Sequence, residues 1–404
     1  MNNMRDLYDV VIIGGAVIGS SVAYYLSANT DFNGRVLVVE KDPSYRFAST
    51  TLSAASLRVQ FSNEMNVRIS QYGADVIRRF ADQMAVETDG PDLHFHEGGY
   101  LFLANTREQA ETLRANHDIQ RACGADVVLW DAQALSAAFP HLRVDDIILA
   151  SYGRSGEGWF DNSGLLTGFR NKALSQGAEY RADEVVAITP EAGRVTSVTL
   201  KSGETVRAGT VVNASGPRAA LTARMAGLDL PVEPRKRTTF VFDCATSPEG
   251  SATINGGRLP LMVDPSGAYC RPDGRFFLGA AVPEMDAAAD WDDFEPNAHE
   301  FEDRLWPALA ARSEYFEALK VKAHWAGHYA VNVTDHNMVV GRHPALENFI
   351  FANGFSGHGL QQSPAVGRGV SELIVYGGFR SLDLSAAGVE RILENRTFRE
   401  TSVI

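Results

Sequence analysis

A glycine-rich segment between two apolar runs is the feature of this sequence that most restricts its fold. Residues 8–13 (YDVVII) and 35–40 (RVLVVE) are rich in β-branched side chains, which is typical of strands buried on both faces. The residues after the first run are Gly14, Gly15, Ala16, Val17, Ile18 and Gly19, and residues 20–28 have a helical pattern. A strand, a glycine turn, a helix and a second strand within about thirty residues predict a parallel βαβ unit that binds a dinucleotide.

Glu40 stands at the end of the second run, 21 residues beyond Gly19. A carboxylate at this place binds ribose hydroxyl groups and repels a 2′-phosphate, so NADP is disfavoured. Ala16 occupies the position of the middle glycine in a strict G-x-G-x-x-G motif, and its methyl group narrows the closest approach of a pyrophosphate. The alternative is a glycine-rich crossover without a cofactor, but the two strands, the helix and Glu40 together favour a dinucleotide site.

A second glycine-rich segment, residues 354–361 (GFSGHGLQ), distinguishes FAD from NAD. It follows an apolar run at residues 348–352 and opens a helix that is predicted over residues 360–375. A helix N-terminus stabilises the negative charge that a reduced flavin carries at N1 and C2=O, whereas a nicotinamide has no use for such a site. The sequence therefore predicts a flavoprotein.

The composition restricts the partners and the compartment. A chain of 404 residues exceeds one typical hydrophobic core, so we expect two domains. The net charge of −13 argues against nucleic acid and anionic membranes as partners. No apolar run reaches the roughly 20 residues of a membrane span, and residues 1–9 do not resemble a targeting signal. The spacing of Cys123, Cys244 and Cys270 argues against disulfides and metal ligation, so we expect no metal. With no targeting signal and no disulfides, the expected compartment is the cytoplasm of a bacterium.

The remaining patterns predict a mixed α/β (α+β) protein with a Rossmann-like FAD-binding domain and a second domain built on an antiparallel sheet. Helices are predicted at residues 63–88 and 107–123, and a third lies within residues 158–187 with Leu165, Leu166, Phe169 and Leu174 as apolar positions. Strands are predicted at residues 100–104 and 210–213, and residues 195–200 and 204–208 form a hairpin. The alternating segments 238–244, 267–271 and 275–281 are typical of a sheet with one solvated face, which indicates the second domain.

Several blocks of the chain resemble the D-amino-acid oxidase (DAO) superfamily of FAD-dependent oxidoreductases, and within it the branch of sarcosine oxidase and the sarcosine and dimethylglycine dehydrogenases. They are residues 10–26 (VVIIGGAVIGSSVAYYL), 49–62 (STTLSAASLRVQFS), 211–217 (VVNASGP), 324–341 (HWAGHYAVNVTDHNMVVG) and 354–368 (GFSGHGLQQSPAVGR). The last two blocks, with residues 231–237 and 267–271, look like bacterial relatives of the mitochondrial FAD-dependent oxidoreductase associated with complex I assembly. The resemblance implies an FAD-binding domain of residues 1–88, 145–222 and 322–404, and a substrate-binding domain of residues 89–144 and 223–321.

The resemblance also implies which residues contact FAD. Those on the pyrophosphate are Gly14, Gly15, Ala16, Val17, Ile18, Gly19, Ala214, Ser215 and Gly216. Those around the adenosine are Glu40, Lys41 and Val185, and those near the flavin are Ser49, Thr50, Ser53, Gly357, His358, Gly359, Leu360 and Gln361. The positions at which relatives attach FAD covalently hold neither the cysteine nor the histidine required, so non-covalent FAD is expected.

For the reaction, the resemblance implies oxidation of the C–N bond of an amino acid or amine by hydride transfer to flavin N5. Arg58 falls on the arginine that binds the substrate carboxylate in sarcosine oxidases; the alternative is a surface arginine that caps the next helix. In sarcosine oxidases a lysine makes a second contact to that carboxylate, and Gln361 stands at its position in this sequence. Arg271 is a further candidate cation unless it points to solvent. His328 and Tyr329 are expected to be cavity walls, although a structural histidine is the commoner case.

The choice between dehydrogenase and oxidase depends on a lysine that activates oxygen in sarcosine oxidases. Phe277 is expected at that position above the flavin, and no lysine lies between Gly267 and Ala281. We therefore expect a dehydrogenase that passes electrons to an electron-transfer flavoprotein or a quinone. The alternatives are an amine oxidase that releases peroxide and a non-catalytic FAD-binding assembly factor.

Overall fold

A computed structural model of the protein describes residues 7–87, 89–250 and 254–402. The strands, in chain order, are β1 (Leu7–Ile13), β2 (Val36–Glu40), β3 (Ser56–Leu57), β4 (Tyr100–Ala104), β5 (Val127–Trp130), β6 (Leu149–Gly153), β7 (Gly158–Trp159), β8 (Glu179–Ala182), β9 (Val185–Glu191), β10 (Arg194–Leu200), β11 (Thr205–Asn213), β12 (Val232–Cys244), β13 (Leu261–Val263), β14 (Tyr269–Asp273), β15 (Phe276–Ala280), β16 (Leu319–Asn332), β17 (Val339–His343) and β18 (Leu346–Asn353). The helices are α1 (Val17–Ser27), α2 (Glu64–Arg78), α3 (Phe80–Gln83), α4 (Arg107–Ala122), α5 (Ala132–Ala138), α6 (Asn162–Ser175), α7 (Ala219–Met225), α8 (Trp306–Arg312), α9 (Gly359–Tyr376) and α10 (Glu390–Leu393).

The first sheet has the strand order β17-β18-β11-β1-β2-β8, and β9 and β10 extend it from β11. Strand β1 pairs in parallel with β11 and β2, which confirms the predicted βαβ unit. Because β1 is covered on both sides, its side chains enter two cores: Val11 packs on one face, and Val10 and Ile12 pack on the other with α1 and α9. This explains the uninterrupted apolar run in the sequence.

The second sheet has the order β16-β12-β15-β14-β13-β4-β6-β5 and is antiparallel except where β13 meets β4. Its long strands β12 and β16 pair over their whole length. The mixed α/β architecture with a second, mostly antiparallel sheet confirms the predicted fold class. Strands β6 and β16 belong to this second sheet, although residues 145–222 and 322–404 were expected in the FAD-binding domain; the domain boundaries themselves stay a prediction.

Three expectations about single elements are wrong. The helix predicted over residues 63–88 ends at Arg78 and is followed by the short α3; Thr88 lies outside the described residues. Residues 210–213 are not a separate strand, because β11 runs unbroken from Thr205 to Asn213. Leu174 is exposed, since it lies in the last turn of α6, beyond the face that packs on the core. No helix within the described residues is long and apolar enough to cross a membrane.

Candidate cofactor and substrate site

A cavity of about 310 Å³ lies where the carboxyl ends of β1, β2 and β11 meet the N-termini of α1 and α9. The expected site residues on its wall are Gly14, Ala16, Val17, Ile18, Glu40, Lys41, Ser49, Thr50, Ser53, Val185, Ala214, Ser215, Gly216, His328, Tyr329, Gly357, Gly359 and Leu360. The expected residues that do not line it are Gly15, Gly19, Arg58, Arg271, His358 and Gln361. Residues far apart in the sequence therefore meet around one cavity, at the place where ligands bind in open α/β sheets.

The glycine turn brings the backbone against this cavity. Gly14 has φ +97°, and a Cβ atom there would lie 2.5 Å from the carbonyl oxygen of Ala214. A Cβ atom on Gly19 would lie 1.9 Å from the carbonyl oxygen of Gly14, so this glycine lets α1 pack against the turn. Helix α1 has Ala16 as its N-cap, which offers no side-chain acceptor. The Val17 N–H donates to Thr50 Oγ1 at 3.4 Å, and the positive end of the helix dipole faces the cavity, as a pyrophosphate requires.

Glu40 is fixed beside the turn before any ligand binds. Its Oε2 accepts a hydrogen bond from the Gly15 N–H at 2.7 Å, and its Oε1 accepts one from the Asp42 N–H at 2.8 Å. Burial raises the pKa of the Glu40 carboxyl, and these two amides act in the opposite direction. Each carboxylate oxygen has two lone pairs, so the group keeps acceptor capacity for ribose hydroxyls.

Helix α9 supplies the second anion site. Its N-cap is His358, whose side chain makes no cap hydrogen bond, so the N–H groups of the first turn remain available. Gly357 has φ +93°, and a Cβ atom there would lie 2.5 Å from the ring of Tyr329. The turn can thus approach the cavity only because Gly357 has no side chain. Two uncapped helix N-termini, a glycine cradle and a ribose carboxylate fit FAD.

Arg58 lies behind the N-terminus of α9 and is only 2% exposed, so the alternative of a surface arginine is wrong. Its backbone N–H donates to Gln361 Oε1 at 2.8 Å, and its guanidinium donates to the carbonyl oxygen of Gln60. Nη2 also contacts His358 Nε2 at 2.9 Å, and Cζ lies 4.2 Å from the ring centre of Phe61. Burial, followed by the charge of Arg58, holds the pKa of His358 well below its usual range, so this imidazole is neutral.

The C-terminal strap, defined as residues 398–402, closes the other side of this guanidinium. The carbonyl oxygen of Ser402 accepts a hydrogen bond from its Nη2. The strap is anchored by Glu400, which is fully buried and accepts from Ser62 Oγ at 2.7 Å and Asn66 Nδ2 at 2.9 Å. The strap thus adds a backbone acceptor to the surroundings of Arg58, a contribution that the sequence patterns did not predict.

Arg271 is also buried, at 5% exposed, and does not point to solvent. Its Nε and Nη2 donate to the carbonyl oxygen of Ala54 at 3.1 and 2.9 Å, and its Nη1 forms an ion pair with Asp273 at 2.9 Å. The guanidinium therefore braces the loop that carries the expected flavin contacts of residues 49–53. Its role as a substrate cation stays a prediction that this arrangement does not favour.

Comparison with known proteins identifies the family. Residues 9–373 match the family model DAO, described as FAD dependent oxidoreductase. The chain belongs to the DAO family. FAD-dependent oxidoreductase domain-containing protein 1 of Xenopus laevis is 39% identical to it, over 98% of this chain and 85% of that protein. Mitochondrial dimethylglycine dehydrogenase of Rattus norvegicus is 28% identical, over 92% of this chain and 43% of that protein.

The solved structures agree with this assignment. L-proline dehydrogenase from P. horikoshii superposes with a TM-score of 0.83 at 27% identity, covering 97% of this chain and 99% of that one. Membership of an FAD-dependent family confirms the cofactor that the two glycine-rich segments predict.

In this DAO-family protein part of the cavity wall comes from a loop that the sequence did not single out, residues 283–297. Its Trp291, Asp292 and Phe294 line the cavity. Phe294 stacks on His328 with ring centres 4.3 Å apart, and His328 Nε2 lies 2.7 Å from the carbonyl oxygen of Asp293. Burial lowers the pKa of His328, which favours the neutral form. His328 thus forms part of the cavity wall, and its contacts hold the loop in place.

A second group, of which sequence reasoning named only Tyr329, is a cluster of tyrosines from three strands of the second sheet, Tyr100, Tyr269 and Tyr329. Tyr329 is hydrogen-bonded to Tyr269, and Arg237 lies 5.2 Å above the Tyr329 ring. Arg237 forms a two-pronged ion pair with Asp286, at 2.6 and 3.0 Å. The cationic residues of 231–237 and the aromatic residue of 267–271 could have indicated this cluster from the sequence. The strand pairing that brings them together, however, joins segments that are far apart in the chain.

Phe277 does not line the cavity, contrary to the expectation of a position above the flavin. It is buried in the core of the second sheet, stacked on Phe242 at 6.0 Å and against Phe316 at 5.3 Å. The reason is the strand alternation of β15, which turns this side chain to the face away from the cavity.

Proposed function

We propose that this protein oxidises the C–N bond of an amino acid, or of a secondary or N-methyl amine that carries a carboxylate. One observation about buried arginines carries the proposal. Among the described residues, Arg237, Arg271, Arg312 and Arg391 are buried and each forms an ion pair with a carboxylate. Arg58 is equally buried, and within the same part of the chain no carboxylate lies within the 4.0 Å of an ion pair.

A buried cation without an anion is costly, and its attraction for an anion is strong because the surroundings screen it poorly. Arg58 has five N–H donors, and the Gln60 carbonyl, the Ser402 carbonyl and His358 engage three of them. The remaining donors suit a carboxylate, which would supply the ion-pair partner that Arg58 lacks among the described residues. The rings of Phe61 and Phe102, 4.2 and 5.5 Å from its Cζ, keep water away.

The rest of the site would orient the substrate. When bound, FAD supplies the hydride acceptor. A neutral amine needs no general base, so the contribution of the chain is to hold the carboxylate at Arg58 beside the Tyr100 ring, whose centre lies 5.9 Å from Cζ, to wall the cavity with Tyr329, and to exclude water. Burial raises the pKa of Tyr100 to about 12, so its hydroxyl stays protonated and offers the substrate no competing negative charge.

We favour a dehydrogenase over an oxidase, with an electron-transfer flavoprotein or a quinone as acceptor. Phe277 gives no support to this choice, because its side chain faces the core. The support comes from Arg237, the cation over Tyr329, whose charge is neutralised by Asp286. A neutralised cation stabilises the developing charge of reduced oxygen poorly.

Anaerobic reduction tests the proposal. The FAD-loaded protein is mixed with D-, L- and N-methyl amino acids, and the flavin absorbance is followed. Bleaching by one of them, with KM raised about 100-fold in Arg58→Met and less in Arg58→Lys, is expected. Stoichiometric peroxide in air would identify an oxidase instead. A flavin that no substrate reduces would favour the non-catalytic assembly factor.

A cytoplasmic bacterial setting and a relation to complex I assembly also stay predictions.

A further inference from the structure

Glu157 is a buried carboxylate that the proposed chemistry does not use. It lies between β6 and β7 and is fully buried. Its Oε1 accepts hydrogen bonds from the backbone N–H groups of Val59 at 2.6 Å and Gln60 at 3.1 Å, and its Oε2 accepts from Gln60 Nε2 at 2.9 Å. The carboxylate thus binds the two residues that directly follow Arg58.

The same two residues determine where the guanidinium of Arg58 lies. The carbonyl oxygen of Gln60 accepts a hydrogen bond from Arg58 Nη1. The Gln60 side chain is held in turn, because its Nε2 donates to the Tyr100 carbonyl at 3.0 Å and Ser151 Oγ donates to its Oε1 at 2.6 Å. A shift of the backbone at Gln60 therefore moves an acceptor of the guanidinium.

We propose that Glu157 is a positioning residue, which holds residues 58–60 so that the guanidinium of Arg58 fits a substrate carboxylate. The chain leaves room for this carboxylate at Gly153, where a Cβ atom would lie 1.8 Å from Glu157 Oε2. The inference rests on the proposed function, because it assigns the effect of Glu157 to the affinity of Arg58 for an anion.

Stability alone does not account for a carboxylate at this place. Burial raises the pKa of Glu157 to about 7, and the hydrogen bonds of Gln60 and Val59 and the charge of Arg58 oppose this rise. An apolar side chain of similar size would avoid the cost of burying the charge. What the carboxylate supplies is one oxygen, Oε1, that accepts from two successive backbone N–H groups, and a second, Oε2, that accepts from the Gln60 side chain, with a negative charge near the Arg58 guanidinium.

Three variants test the inference on the FAD-loaded protein: Glu157→Gln, Ser151→Ala and the control Asp264→Asn. Ser151→Ala loosens Gln60 without touching Glu157. Asp264 is a buried carboxylate bonded to Arg312 at 3.0 Å, away from Arg58. The measured quantities are KM and kcat for a substrate that reduces the flavin, and the dissociation constant of acetate from the change in flavin absorbance.

We expect Glu157→Gln to raise KM and the acetate dissociation constant about tenfold while kcat changes less than about twofold. Ser151→Ala should raise both constants severalfold, and it replaces Glu157→Gln if that variant does not fold. Asp264→Asn should lower the melting temperature and leave both constants unchanged. Unchanged constants in the first two variants, or a fall in kcat alone, would overturn the role of Glu157.

Failure of the proposed function gives a different result. If no amino acid reduces the wild-type flavin but acetate binds, the oxidation is refuted and the acetate ratio between variant and wild type still decides the role of Glu157. If the wild type neither turns over nor binds acetate, both proposals are wrong.

Discussion

Replacing Glu157 by glutamine removes a titrating group from the interior while nearly preserving its shape. Burial raises the pKa of this carboxyl from an ordinary 4.5 to about 7 in the folded protein. Because the folded state binds the proton more tightly, the contribution of Glu157 to the free energy of unfolding is greatest below pH 4.5. It is lost as the pH rises through 7.

The magnitude follows from the two pKa values. A difference of 2.5, from 4.5 to about 7, corresponds to about 3 kcal/mol at ~1.4 kcal/mol per pH unit. Roughly 2.5 kcal/mol of this is lost between pH 5 and pH 8. For a chain of 404 residues, an unfolding entropy of about 2 cal/mol/K per residue converts that loss to about 3 °C in the melting temperature.

The assay is a pair of thermal melts of the FAD-loaded wild type and Glu157→Gln at pH 5 and pH 8. The lost carboxylate hydrogen bonds lower the stability of the variant by about 1–3 kcal/mol at both pH values, so this cost cancels in the comparison. The melting temperature of the variant, relative to the wild type, should therefore rise by about 3 °C from pH 5 to pH 8.

Glu97→Gln is the control for this comparison. Burial acts to raise the pKa of Glu97, but the ion pair with Arg78 and the Gly156 N–H outweigh it and lower the pKa. The contribution of Glu97 is therefore lost only as the pH falls below its ordinary range, and its difference from wild type should stay flat from pH 5 to pH 8. A change below about 1 °C for Glu157→Gln, or one of opposite sign, would refute the reasoning about its buried charge.

Three further substitutions test the cofactor cavity. Gly19→Ala should abolish FAD binding, seen as loss of flavin absorbance in the purified protein, because the added methyl group would lie 1.9 Å from the Gly14 carbonyl oxygen. Glu40→Gln should raise the FAD dissociation constant about tenfold in a fluorescence titration, since a neutral amide is a weaker acceptor for ribose hydroxyls; equal affinity would contradict this role. Phe294→Ala should speed FAD release on dilution severalfold, because it removes the ring stacked on His328, and an unchanged rate would speak against that contact.

The cofactor side of the site was predictable because its signals are local. The residues from Gly14 to Glu40 follow one another along a single βαβ unit, in which turn geometry and strand burial act over short distances. The segment that opens α9 is equally local, since the strand before it and the helix after it are adjacent in the chain.

The substrate side was less predictable because long-range packing creates it. Glu157 contacts Val59 across 98 positions, and no periodic pattern marks either residue. Arg58 was predicted as a carboxylate ligand by resemblance, but that it has no ion-pair partner within the described ranges follows only from the packing around it. Phe277 was misplaced for a related reason, since the sequence does not show which face of β15 meets the cavity.

The C-terminal strap has a consequence for the order in which the protein matures. A chain made from its amino end exposes the glycine turn early, and the turn awaits β18 and α9 to complete the flavin cavity. Glu400 and Ser402 emerge later still, and the carbonyl of Ser402 accepts a hydrogen bond from Arg58. The residues that line the flavin cavity are therefore all made before the strap that completes the surroundings of Arg58.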